Sequence, residues 1–141
     1  MGPLHYHHIS TLPRIHHIVW CCLPDEAGNP GQTVRPSLVR STKRHPPTKR
    51  GGVWVSYGTT KLDSNKFGQV DLIIQNAGRL DQLGLPMAVR FDLSAANWLP
   101  WAHEFFQPPE HSLYVVAGSL NGTEITKLRA RLLRRGIIQA L

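Results

Sequence analysis

Short apolar runs, separated by segments dense in proline and glycine, are the feature of this chain that most limits its fold. The run IVWCCL at 18–23 is rich in β-branched and aromatic residues, and the turn formers PDEAGNPG follow it at once. Runs of this length and composition are typical of strands rather than helices. Comparable runs predict five further strands, within 34–41, 52–60, 69–76, 87–94 and 111–120.

One helical pattern stands near the C-terminal end, in the segment NGTEITKLRARLLRRG. Ile125, Leu128 and Leu132 recur at helical spacing, which indicates one amphipathic helix with an apolar stripe against the core. Thr123 is a candidate N-cap, and Gly136 follows an arginine-rich last turn. Short strands and one late helix predict a mostly β fold, a small antiparallel barrel or curled sheet capped by a helix.

The length of 141 residues suits one domain, which we expect over residues 16–141. Residues 1–15 carry several histidines without periodicity, and we interpret them as a flexible His-rich arm. Because no familiar ligand spacing surrounds these histidines, we expect no metal and no cofactor. No apolar run approaches the roughly 18 residues of a membrane span, so we expect no membrane partner and a cytoplasmic location.

The charge balance is strongly basic, with 16 Lys and Arg against 9 Asp and Glu, a net charge of +7 and a pI near 10.0. Such a balance favours polyanionic partners, nucleic acid first and acidic protein segments second. The segment RSTKRHPPTKRGG suits neither a helix nor a strand. It is either a solvated loop or a loop that contacts RNA phosphates through Arg40, Lys43, Arg44, Lys49 and Arg50.

An arginine and an aspartate stand two residues apart in the apolar stretch VRFDL. In an extended chain Arg90 and Asp92 share one face, while Val89, Phe91 and Leu93 share the other. The charge pair is either a surface ion pair worth about 0–1 kcal/mol or part of a site.

The same residue types suit the cleavage of RNA, in which the neighbouring 2′-hydroxyl is a built-in nucleophile. The protein then supplies a base, charge stabilisation at phosphorus and an acid for the leaving oxygen. Asp92 could be the base, and Arg90 could hold two phosphate oxygens. Thr59 and Thr60, at the end of a predicted strand, could donate hydrogen bonds to the phosphate or orient Arg90.

The order of these motifs resembles the MazF/PemK family of toxin endoribonucleases over roughly residues 17–138. A strand and a glycine-containing loop lead to an Arg-Pro-x-Leu-Val strand, here beginning with Arg35. The next strand ends in a hydroxyl pair, resembled by Thr59 and Thr60. A later Val-Arg-x-Asp, the acid and base pair of the PemK branch, matches residues 89–92.

The resemblance implies an SH3-like antiparallel barrel of the CcdB/MazF/PemK type that forms a homodimer, with single-stranded RNA across the dimer groove. It implies the toxin of a type II toxin-antitoxin system, a metal-independent endoribonuclease that leaves a 2′,3′-cyclic phosphate and a 5′-hydroxyl. Its partner would be an acidic antitoxin, and Arg35 would join the catalytic set. The chain departs from the family in its N-terminal arm and in the added segments 61–85 and 97–109.

The aromatic segment ANWLPWAHEFFQPP has no regular pattern, and we expect it to be irregular. Because four exposed aromatic side chains would be an unusual surface patch, we expect them to cover one end of the sheet: Trp98, Trp101, Phe105 and Phe106.

Two other classes of function fit the same residues. A non-catalytic module on the same barrel would bind nucleic acid or an acidic protein, with Arg90 and Asp92 as a structural ion pair. A hydrolase that uses Cys21 or Cys22 would need an activated thiol, and nothing local marks either cysteine as activated.

The catalytic hypothesis predicts that Asp92→Ala and Arg90→Ala each abolish cleavage of single-stranded RNA while the fold stays intact. The reason is that each variant removes either the base or the group that holds the phosphate. Gel analysis of the RNA products measures this, and full activity in both variants would contradict the assigned roles.

Overall fold

Seven antiparallel strands form one curled sheet in the computed structural model, which describes residues 2–137. The strands are β1 His17–Pro24, β2 Pro30–His45, β3 Arg50–Thr59, β4 Leu72–Ile74, β5 Val89–Phe91, β6 Asn97–Pro100 and β7 Val116–Ser119. The strand order within the described range is β4-β5-β3-β2-β1-β7, and β6 pairs with β3 off this path. The helices are α1 Ser64–Phe67, α2 Ala77–Leu83 and α3 Gly122–Arg134. The prediction of a mostly β, antiparallel fold with a C-terminal helix is confirmed.

Strand β3 is the strand on which the sheet curls. It pairs with β2 along its length, with β6 through residues 52–55, and with β5 through residues 58–59. Gly58 lies where β3 pairs with β5. A Cβ atom at this position would come within 2.3 Å of the Pro36 carbonyl oxygen and within 2.8 Å of a methyl group of Val89. The absence of a side chain at Gly58 therefore lets β2, β3 and β5 pack closely.

Both faces of β1 are buried, which explains its continuous apolar run. Ile18 and Trp20 pack in a cluster that also holds Leu128 of α3. Val19 and Cys21 pack on the opposite face, with the aromatic residues that follow β6. The apolar stripe of α3 is thus part of the core, as its spacing predicted.

The basic segment expected as a loop is a β-hairpin. Strand β2 continues to His45, β3 begins at Arg50, and a single 3-10 turn at Pro46–Thr48 joins them. A proline has no N–H to donate to a ladder, but Pro46 and Pro47 both lie in the turn, where no ladder donor is needed. The prediction of a loop was wrong because it assumed that the two prolines also prevent strand pairing in the residues on either side of them.

The aromatic segment 97–106, expected as irregular, contains β6. Trp101, Phe105 and Phe106 are buried in the cluster around Val19, as predicted for residues that cover the sheet. Trp98 differs, because it points outward from β6 and keeps 43% of its surface exposed.

The N-terminal segment, expected as a flexible arm, lies against this aromatic segment. The amide of His7 donates to the carbonyl of Trp101 at 3.0 Å, and the amide of His103 donates to the carbonyl of His5 at 2.8 Å. These bonds form a short two-stranded contact, so the segment covers the aromatic cluster.

Helix α3 begins earlier than the candidate cap Thr123 predicts. Asn121 is the N-cap, and it forms a capping box in which its side chain accepts from the Glu124 amide while Glu124 accepts from the Asn121 amide. Both carboxylate oxygens of Glu124 also accept from Arg79 of α2, at 2.9 and 2.7 Å. This second role ties α2 to the start of α3.

A buried carboxylate fixes the other end of α3. Asp71 is fully buried just before β4, and it accepts hydrogen bonds from Arg90 at 2.6 Å, from Arg135 at 2.6 Å and from the Leu93 amide at 2.9 Å. Arg135 also donates to the Val70 carbonyl at 2.6 Å. One acid therefore holds β4, β5 and the C-terminal end of α3 together.

We predict that Asp71→Asn lowers the free energy of unfolding by about 3–5 kcal/mol, because the buried guanidinium of Arg90 and the partly buried one of Arg135 lose their counter-charge. Denaturant unfolding measures the change. The matched control is Asp81→Asn on the exposed side of α2, which should change stability by less than about 0.5 kcal/mol. Equal effects at the two positions would contradict the role of Asp71.

Candidate functional site

A cleft of about 250 Å³ opens between the first half of β2, the end of β3 and the segment that leads into β5. Its polar side chains are Arg35, Thr33, Thr59 and Thr60, so three predicted catalytic residues come together here. The remaining walls are apolar and come from Trp20, Val34, Pro36, Gly58, Leu85, Pro86, Met87, Ala88 and Val89. A cleft with one cation, three hydroxyls and apolar walls suits an anion that carries a planar ring.

The Arg35 side chain is available to a ligand. It is exposed, and it forms no hydrogen bond or ion pair with another residue in the described range 2–137. A guanidinium is the side chain best shaped to hold two phosphate oxygens. Arg35 therefore has the geometry that the charge-stabilising role requires.

The hydroxyl group of Thr59 can still donate a hydrogen bond to a ligand. Its oxygen accepts a hydrogen bond from the Lys61 amide at 3.2 Å, which uses a lone pair and leaves the hydroxyl proton for another acceptor. Thr60 next to it is exposed on the cleft wall. The two hydroxyls thus stand at the strand end, where the backbone fixes them beside the cleft.

Arg90 does not line the cleft, although it pairs with Thr59 across β3 and β5. Its guanidinium is buried and donates to Asp71 and, at 2.8 Å, to the Lys61 carbonyl. The guanidinium carbon also lies 3.7 Å from the centroid of the Phe67 ring. These contacts make Arg90 a positioning residue for the chain that follows Thr59.

Asp92 also lies outside the cleft lining. Its carboxylate accepts from the Ser94 amide at 2.9 Å and from the Ser94 hydroxyl at 2.5 Å. Burial opposes its ionisation, but the bonds from Ser94 and two nearby guanidinium charges lower the pKa of Asp92 below the ordinary value. The ion pair of Arg90 is formed with Asp71 rather than with Asp92, a partner that no local pattern revealed.

Four of the five predicted RNA-contacting cations lie exposed on the hairpin: Lys43, Arg44, Lys49 and Arg50. Arg40 is the exception, since only 5% of its surface is exposed and its Nη1 donates to the Ser56 hydroxyl at 3.1 Å. Burial lowers the pKa of Arg40. The Arg40 side chain is therefore buried against β3 rather than exposed with the other four cations.

The net charge of the chain is concentrated on β2 and β3. Residues 27–62 carry seven Lys and Arg and no Asp or Glu, while the rest of the chain carries nine of each. The cleft and the hairpin both lie on this segment. An anionic ligand is therefore attracted to one pair of strands.

His111 stands near the cleft, and no sequence signal identified it. Its ring packs edge to face on Trp20 at 5.3 Å, and its Nε2 lies 2.9 Å from the Gly84 carbonyl oxygen. Because a carbonyl only accepts, Nε2 is the donor in this hydrogen bond, and Nδ1 is left as an acceptor. Thr33 was also missed, although it shares the two-residue alternation of Arg35 along β2.

The cysteines do not form a nucleophilic site. Both are free and buried. Burial raises the pKa of the Cys21 thiol to about 12 and also raises the pKa of Cys22. Within residues 2–137, no group of three or more potential metal-ligating side chains is assembled.

A scan of family models finds none that matches the chain, and a search of curated proteins finds no match. The resemblance to MazF/PemK thus rests on the motifs and their order.

Among the helices within residues 2–137, none combines the length and the hydropathy that a membrane span requires.

We predict that neither thiol of the native protein reacts with iodoacetamide at pH 8, because both are buried and protonated. Both should react after unfolding in urea. Intact mass spectrometry counts the added groups, and alkylation of the native protein at the rate of a free thiol would contradict this result.

Proposed function

We propose that the protein is an endoribonuclease that cleaves single-stranded RNA in the cleft around Arg35, Thr59 and Thr60. The observation that carries the proposal is an exposed arginine without a partner in the described residues, beside two strand-end hydroxyls, on a segment that holds the whole net charge. The order of the motifs that resemble MazF/PemK supports it independently.

The proposed reaction needs no metal. The 2′-oxygen of the RNA loses its proton and bonds to the adjacent phosphorus, and the bond from phosphorus to the 5′-oxygen breaks. The 5′-oxygen takes up a proton, and the products are a 2′,3′-cyclic phosphate and a 5′-hydroxyl. Arg35 stabilises the charge that grows on the non-bridging oxygens, and the threonine hydroxyls donate to the same oxygens.

Two residues are candidates for the proton transfers. Asp92 is the base named from the sequence, but its lowered pKa weakens it as a proton acceptor and it lies outside the cleft lining. His111 does not line the cleft either, but its ring packs on Trp20, which does, and its Nδ1 can accept a proton. The variants Asp92→Asn and His111→Gln separate them, because only the variant that removes the base slows the loss of the 2′-proton and therefore the cleavage.

The finer features of the resemblance belong to the same proposal. The curled sheet would be an SH3-like barrel, and the protein would be a homodimer that acts as the toxin of a type II toxin-antitoxin system. An acidic antitoxin would bind the basic strands β2 and β3, since their charge suits an acidic segment as well as RNA.

One observation favours a second candidate, a non-catalytic module that binds nucleic acid or an acidic protein. Arg90 is committed to Asp71 and the Lys61 carbonyl, and Asp92 is committed to Ser94. Both charges then serve the fold, and the cleft holds an anion without chemistry. Analysis of the RNA after incubation distinguishes the candidates, because a binding module leaves the strand intact.

We predict that the protein cuts a long single-stranded RNA in EDTA and that Arg35→Ala slows the cleavage about a hundredfold or more, as the loss of a charge-stabilising donor does. Mapping of the new ends should find 2′,3′-cyclic phosphates. Arg14→Ala, another exposed arginine that does not line the cleft, is the matched control and should cleave at the unaltered rate.

Arg35→Ala should leave stability within about 0.5 kcal/mol of the parent, since the side chain has no partner to lose in the described residues. Intact RNA after incubation with the parent protein would overturn the proposed function. Equal rates in the parent and Arg35→Ala proteins would overturn the role of the cleft.

A further inference from the structure

A groove of about 330 Å³ lies at the turn end of the β2–β3 hairpin and shares no lining residue with the cleft. Lys43 and Arg50 line this groove, and the sequence analysis named both as possible phosphate contacts because of their charge. The aromatic side chains beside them have no role in the proposed reaction. The side chains that matter for a ligand here are Tyr6, Lys43, His45, Arg50 and Trp98.

The strand register places the basic side chains of the groove on one face. Lys43 pairs with Gly52, and His45 pairs with Arg50, so alternate positions of β2 and β3 share this face. The guanidinium carbon of Arg50 lies 4.7 Å from the centroid of the Tyr6 ring, which holds the charge in place. The cations are therefore arranged along the groove rather than scattered around the hairpin.

Two indole rings lie on the same face. Trp54 of β3 pairs with Trp98 of β6, and the two rings stand 5.4 Å apart at an interplanar angle of 56°. The Trp98 ring lies over Gly52, where a Cβ atom would come within 1.9 Å of it. Glycine thus makes room for the ring, while 40% of Trp54 and 43% of Trp98 remain exposed. Exposed indoles beside cations are a feature that a folded core does not require.

The ligand is defined by these two kinds of side chain together. Ring faces bind planar rings, and an acid-free basic segment binds a polyanion. A single-stranded nucleic acid has both features, whereas an acidic peptide lacks the rings and a duplex hides the faces of its bases. We infer that the face formed by Lys43, Arg50, Trp54 and Trp98 is a stacking platform for the bases of single-stranded RNA.

The platform deepens the proposed function, on which it rests for the identity of the ligand as RNA, but it concerns binding rather than cleavage. Gly58 lines the cleft and follows Trp54 by four residues, on the same strand and the same face, a distance of about 13 Å in extended chain. The platform and the cleft are therefore within reach of one strand of RNA.

Fluorescence anisotropy with a 2′-O-methyl oligouridine of about ten nucleotides tests the platform, because this probe cannot be cut and matches the usual site size. The second probe is an abasic sugar–phosphate strand of the same length, which keeps the charge and lacks the rings. The aromatic variant is Trp54→Ala with Trp98→Ala. Its matched control is Tyr114→Ala, which removes an aromatic side chain that is 72% exposed outside the groove.

The aromatic variant should bind oligouridine at least about fivefold more weakly for each base that no longer stacks on an indole, and it should bind the abasic strand as the parent does. Tyr114→Ala should bind both probes as the parent does. Unaltered binding of oligouridine by the aromatic variant, or an equal weakening for both strands, would overturn the inference.

The cationic variant, Lys43→Ala with Arg50→Ala, separates charge from stacking. It should weaken both strands and reduce the slope of log K against log salt by about 1.4, which is about 0.7 for each phosphate contact. Lys127→Ala with Arg134→Ala, two exposed cations on α3, is its matched control and should leave the slope unaltered. A polyglutamate that displaces oligouridine as well as unlabelled oligouridine does would overturn the inference in favour of an acidic protein partner.

Two arms keep the result independent of folding and of cleavage. Trp54→Leu with Trp98→Leu retains apolar bulk, so it replaces the alanine variant if near-ultraviolet circular dichroism shows that the latter is unfolded, and the same weakening is expected. If the parent protein cuts no RNA but still prefers oligouridine to the abasic strand, the proposed reaction fails and the platform stands.

Discussion

The buried carboxylate of Asp71 holds together the strands and the helix end that support the cleft. It joins two cations that are far apart in sequence, and its hydrogen bonds hold β4, β5 and the end of α3 in one arrangement. Arg90 extends this arrangement to the cleft, because it also binds the carbonyl of Lys61 and pairs with Thr59. An unpaired charge in such a place would cost several kcal/mol, so the three groups are set as a unit. The position of the threonine hydroxyls follows from an ion pair that lies outside the cleft lining.

The strand pair β2–β3 brings charge, hydroxyls and ring faces into one continuous element. The end of the strand pair opposite the turn contributes Arg35 to the cleft, and the turn end forms the platform with Trp54 and Trp98. All of the net charge of the chain falls on the same segment. A flexible polyanion attracted by this field meets two different surfaces, one suited to a phosphate in a half-apolar cleft and one suited to bases. This division explains why a chain of this size carries exposed indoles in addition to exposed cations.

Local patterns in the sequence predicted the elements that depend on neighbouring residues. Short apolar runs indicated the strands, helical spacing indicated α3, and the order of motifs brought Arg35 and Thr59 into one hypothesis. Contacts between distant residues could not be predicted: no pattern joins Asp71 to Arg90, so the charge at 90 was matched with its sequence neighbour Asp92. The hairpin was missed because it contains two prolines, which usually indicate that a segment is not a strand. Both prolines lie in the turn, so the residues on either side of them remain free to form strands. Trp98 was expected in the core since aromatic side chains usually are, but Gly52 gives its ring a place on the surface.

If RNA binds along β2 and β3, titration with 2′-O-methyl oligouridine should change the amide chemical shifts of those strands, which NMR measures residue by residue. Helix α3 is the competing surface, because its exposed residues include Lys127, Arg129 and Arg134. We expect the largest changes in chemical shift at residues 33–36, 43–54 and 58–60, while the amides of α3 keep their positions. Shifts concentrated on α3, with β2 and β3 unaffected, would contradict it.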